Sequence, residues 1–160
     1  MTIRRAGMLL LAVLLLPCAG CGNDEGTTET AEVSAAAPTK DTLVQTLRDL
    51  LKAIEAGDLD VAAAHMIDFP GMSPEDVHKA LPGFIEKREI SGPGIDILAE
   101  KGTFGSLAVV FPERGAHWAE RVKADAAKCY ALSYNGAEVA GLWGGKTFKL
   151  IRLDDVGKLE

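Results

Sequence analysis

Three apolar runs close the chain, Cys129–Tyr134, Ala137–Trp143 and Lys146–Leu153, and they are parted by Asn135-Gly136 and Gly144-Gly145. Asn-Gly and Gly-Gly accept the positive φ angles of tight hairpin turns, so the runs predict a three-stranded antiparallel meander. A meander of this kind has an apolar face that must be covered. The cover is supplied at the other end. From Asp41 to Ala56, Leu43, Val44, Leu47, Leu50, Leu51 and Ile54 recur at steps of three and four, the stripe of one amphipathic helix. Helices first and a sheet last give an α+β domain, with N-terminal helices packed on one face of a C-terminal antiparallel sheet.

The punctuation between these ends is dense. Pro38-Thr39 opens the long helix and Gly57 closes it. Asp58 caps a second helix running to about Ile67, which Phe69-Pro70-Gly71 stops. Ser73-Pro74-Glu75-Asp76 is the capping-box start of a third short helix, and Phe84–Glu89 suits a further turn. Ser91-Gly92-Pro93-Gly94 reads as a break, after which the alternation of Ile95, Ile97 and Ala99 with Asp96, Leu98 and Glu100 predicts a strand. Thr103–Phe111 fits either a helix or a buried strand, and helix is the reading taken. Glu113–Ala127, with Trp118 and Val122 four apart, predicts an amphipathic helix.

Ahead of the domain stand Arg4 and Arg5, an unbroken apolar run from Met8 to Leu16, and Ala19-Gly20-Cys21. A positive head, a run too short for a membrane span of roughly 20 residues, and small residues before a cysteine predict a secretory signal. Cys18-Ala19-Gly20-Cys21 resembles the lipobox of bacterial lipoproteins, with Cys18 where leucine is usual. That resemblance implies a signal peptide over 1–20, lipidation of Cys21, and a protein exported and held on a bacterial membrane by acyl chains such as palmitate. Gly22 rather than an acid after Cys21 points to the outer membrane where the organism has one. Residues 21–39 contain no leucine and no aromatic residue, so they read as the lipidated cysteine and a flexible tether, and 40–160 as a single domain. Of 17 basic residues Arg4 and Arg5 lie in the signal, leaving 15 against 23 acids, a formal charge of −8. Nucleic acid is therefore not expected as a partner. With Cys18 removed and Cys21 acylated, Cys129 is the one free thiol, and its apolar neighbours suit an inert buried cysteine.

Motifs for chemistry are sparse. Gly144-Gly145-Lys146-Thr147 ends like a phosphate-binding loop, but Ala140 stands where that loop needs glycine, and a strand follows instead of a helix. His65, His78 and His117 fall at no metal-ligand spacing, so no metal and no cofactor are expected. His65 and Asp68, three apart at a helix end, are candidates for acid–base catalysis, weighed against a plain surface pair, which is the reading taken. Tyr130, Tyr134 and Trp143 are candidates to line a ligand pocket, weighed against cross-strand support in the core, which is preferred. Trp118 beside His117 would mark a partner surface if exposed.

Leu51-Lys52-Ala53-Ile54-Glu55-Ala56-Gly57-Asp58-Leu59-Asp60, a long helix turning through Gly-Asp into a second, is similar to the opening of the NTF2-like (SnoaL-like) superfamily. The resemblance implies a curved-sheet cone, and in enzymes of that kind an Asp, His or Tyr working as acid or base on a small apolar substrate. Two functions follow as expectations. The first is a membrane-anchored cell-envelope lipoprotein acting as a non-catalytic binding or scaffolding module for a protein or small-molecule ligand; the alternative is a small pocket hydrolase, lyase or isomerase served by His65 or Asp68.

Overall fold

Thr39 caps α1 (Lys40–Glu55), its hydroxyl accepting from the Thr42 amide at 3.2 Å. These relations come from a computed structural model that describes residues 37–160. The stripe read from the sequence is the buried face of α1: Leu43, Val44, Leu47 and Leu50 are all within 2 % of complete burial. Gly57, at φ +73°, ends the helix, and the Asp58 carboxylate accepts from the Val61 amide to start α2 (Leu59–Ala64).

The second helix is shorter than the expected extent to Ile67. Beyond Ala64 the chain leaves the helix because the outer edge of the sheet takes its backbone: the Ile67 amide donates to the Leu150 carbonyl at 2.9 Å, and the Leu150 amide to the His65 carbonyl at 2.7 Å. An unpaired strand edge is thus partly closed, and Met66 is buried against it. Then come α3 (Pro74–Ala80), with the expected reciprocal capping box between Ser73 and Asp76, and the single turn α4 (Gly83–Glu86).

Two expectations in the middle of the chain are corrected. Residues 95–100 are not a strand but lie in α5 (Gly92–Lys101). Ser91 is a cap rather than a break, its hydroxyl accepting from Gly94 N at 3.1 Å, and Pro93 sits in the first turn where its missing N–H costs nothing. Ile95 and Leu98, three apart, are the fully buried positions, so the period is helical and the alternation with Ile97 was incidental. Thr103–Phe111 is not one helix: it divides into β1 (Thr103–Ser106), paired antiparallel with the strand at 129–134, and the short α6 (Leu107–Val110). The helix expected over Glu113–Ala127 contracts to α7 (Gly115–Arg121), followed by a 3-10 turn at Ala126–Lys128.

The meander forms, its last strand starting at Phe148 rather than Lys146 because the turn takes two more residues: β2 (Cys129–Tyr134), β3 (Ala137–Trp143) and β4 (Phe148–Asp154), all antiparallel in the order β1-β2-β3-β4. Asn135 at φ +46° and Gly136 at φ +87° make the first turn. The domain is α+β, and α1 and α5 pack Leu43, Leu47, Ile95 and Leu98 against Leu132, Val139, Phe148 and Leu150 on one face. The other face is covered as well, since Leu107, Phe111 and Ala119 of the α6–α7 layer bury Cys129, Ala131, Ala140 and Ile151. A bulge allows this: Ala140 pairs with Arg152 and Gly141 with Leu150, so Ile151 is the extra residue and turns with Arg152 toward α7. Both cores are formed by residues between Leu43 and Leu159, so this part of the chain has hydrophobic cores of its own, as an independently folding domain requires.

Candidate functional site

Among the described residues two grooves flank the sheet, and the candidate residues divide unevenly between them. The first, of about 440 Å³, lies where the N-terminal half of α1 meets the β3–β4 turn and is lined by Asp41, Thr42, Gln45, Asp49, His65 and Lys146 among others. His65 borders it because the chain turns from α2 onto the edge of β4 at that residue. Asp68 does not line it. Leaving the helix at Ala64 undoes the three-residue spacing that would have set the two side by side, and no hydrogen bond or ion pair joins them among the described residues. The side-chain contact of this region is instead His78 Nε2 at 3.3 Å from an Asp60 carboxylate oxygen, across α2 and α3. Gly144 N donates to the Thr147 carbonyl at 3.0 Å and β4 begins at Phe148, so the Gly-Gly-Lys-Thr run is a hairpin turn.

The three aromatic candidates lie together on the α1 face and border neither groove. Tyr130 stacks on Phe104 at 5.7 Å between centroids, and Trp143 meets Phe148 at 4.9 Å. Phe148 also takes the edges of Phe104 and Tyr130, so these rings prop one another across β1, β2 and β4. Tyr134 packs against the same core. Cys129 is fully buried, its Sγ donating to the Asp125 carbonyl at 3.3 Å; burial, with the Asp125 charge nearby, pushes its thiol up to about 11. That is the opposite of the depressed value a nucleophilic thiolate needs. Cys21 lies outside the described residues.

The second groove, of about 560 Å³, was not anticipated. It runs beside β4 between α7 and the α3–α4 region, and of its twelve lining residues only Trp118, Arg121 and Arg152 carry polar side-chain atoms. Trp118 is half-buried, and the Arg152 guanidinium lies 4.7 Å from its ring centroid with that of Arg114 at 5.3 Å. Glu138 holds both cations: one carboxylate oxygen accepts from Arg114, and the other from Arg152 Nε at 3.3 Å. Asp154 takes the remaining Arg152 contact. The sequence marks Trp118 as a candidate partner surface but gives no sign of the arginines, because the bulge that aims Arg152 at it leaves no mark in residue spacing.

A further cluster joins Glu89, Asp154 and Asp155, whose carboxylate oxygens lie within 4.8 Å of one another. Each already has a partner: Glu89 Oε2 accepts from the Asp155 amide at 2.8 Å, Asp154 pairs with Arg152, and Asp155 with Lys158. They tie the C-terminal turn to the end of β4. Set beside known protein families, curated proteins and solved structures, the chain matches none of them.

Proposed function

We propose that the chain is a lipid-anchored lipoprotein of the bacterial cell envelope whose domain acts by binding rather than by catalysis. The observation that carries the reading is the N-terminal order of Arg4-Arg5, the apolar run Met8–Leu16, and Ala19-Gly20-Cys21, followed by a tether without leucine or aromatic residues. Acylation of Cys21 would give the chain its hold on the membrane, and more than one acyl chain makes such a hold stable. An acidic domain has no electrostatic attraction of its own to anionic lipid.

The binding half is supported by how the titratable groups are distributed. A pocket enzyme of the NTF2-like kind would need an acid and a base converging on one cavity. Of the candidates read from the sequence only His65 borders a groove, and the acids it meets there, Asp41 and Asp49, belong to a surface groove at the start of α1 and not to the covered face of the sheet; Asp68 borders neither groove, and Tyr130 is stacked into the aromatic cluster. The α1–Gly57-Asp58–α2 phrase keeps an NTF2-like kinship within the proposal as to ancestry, without its chemistry. Metabolic labelling with a palmitate analogue tests the reading: the native chain takes up label and sediments with membranes, while Cys21→Ser does neither. Equal labelling of both would overturn it.

A further inference from the structure

The groove beside β4 joins a mostly apolar wall to two arginines. Met66, Phe69, Met72 and Phe84 line it, and Met72 is 44 % exposed, a large apolar side chain left uncovered. Two methionines give a wall that adapts to a flexible chain. A peptide would bring a backbone of donors and acceptors that need partners, and nine of the twelve lining side chains offer none. An alkyl chain brings none. The volume of about 560 Å³ lies inside the range of small-molecule sites.

Charge selects the head group. On a chain with 23 acids against 17 bases, no acid lines this groove, and its two charged lining residues are both arginines. Arg152 is already neutralised by Glu138 and Asp154. Arg121, exposed at the end of α7, has no ion-pair or hydrogen-bond partner among the described residues. We propose that this groove binds a single-chain amphiphile with an anionic head, of the fatty-acid class, the carboxylate meeting Arg121 and the alkyl chain lying in the Met-Phe wall. The proposal rests on the binding-module reading above and names its ligand class.

The domain of residues 34–160 carrying Trp143→Phe leaves Trp118 as its one tryptophan. Dodecanoate, dodecanol and dodecyltrimethylammonium, each kept below micelle formation, are titrated in and followed by Trp118 emission and by calorimetry. Dodecanoate binds saturably and tightest. Arg121→Ala weakens it about tenfold or more, as expected for loss of a charge-assisted contact, and leaves dodecanol unchanged. Arg121→Lys, which keeps the charge but not the fork, falls between. Equal affinity for the three head groups, no saturable signal by either readout, or an Arg121→Ala domain that melts normally and binds dodecanoate unchanged would each overturn the proposal. Palmitate labelling at Cys21 is independent of these results, so failure here removes the ligand class and leaves the anchoring to its own test.

Discussion

Gly94 shows how a single atom fixes the packing of this domain. A Cβ built there would lie 1.8 Å from the carbonyl oxygen of Val156, because α5 and the C-terminal turn approach backbone to backbone. Gly94→Ala is expected to lower stability by about 3 kcal/mol or more, whereas Gly92→Ala, with nothing within 4 Å, changes it by about 0.5 kcal/mol at most; thermal unfolding of the two separates them. Cys129 yields a prediction in pH. Its native thiol holds a proton up to about 11 against an ordinary value of 9.0, so the stability it contributes is complete below pH 9 and is lost as pH rises toward 11. Correspondingly, iodoacetamide at pH 8 leaves the native thiol unmodified over the time in which it alkylates the unfolded chain fully. Rapid labelling of the folded domain would show that Cys129 is not sealed by α6 and α7.

At the scale of elements, α3 is the segment most dependent on its cap, since none of its residues is buried. Ser73→Ala should cost it about 1 kcal/mol and fray its first turn, visible as faster amide exchange at Asp76 and Val77 with global melting little changed. Acid should act in the same direction. The hydrogen bond from Ser73 holds Asp76 below the usual carboxylate range, so its share of the cap is present above about pH 4 and lost as the carboxylate protonates. Elements carrying strong local signals are legible in the sequence: α1 through its stripe, α3 through its box, and β2–β4 through Asn135-Gly136 and Gly144-Gly145. Where the signals were weak, tertiary pairing decided. Thr103–Ser106 is a strand because β2 offers it an edge, and His65–Ile67 leaves its helix because β4 offers the other. Residues 95–100 were misread for another reason, as Ile95, Ile97 and Ala99 alternate on paper while Ile95 and Leu98 share the buried face in space. The apolar groove was illegible on the same grounds: its walls come from four separate segments, and the β4 bulge that turns Arg152 toward Trp118 is a matter of register.

At the scale of the described residues as a whole, two layers of cover join one sheet, with Cys129 sealed between the sheet and the α6–α7 layer. Leu43, Leu132, Val139, Phe148 and Leu150 fill the α1 face, where an open cone would hold substrate. On the reading we propose, the grooves at the domain's flanks are the recognition surfaces and an anchor at Cys21 sets which molecules they meet. Mass spectrometry of the N-terminal peptide from the full-length protein isolated from membranes tests this account most directly. The account predicts a peptide that begins at Cys21 and carries acyl chains on it. An unmodified peptide that still contains residues 1–20, or one that begins beyond Cys21, would contradict it.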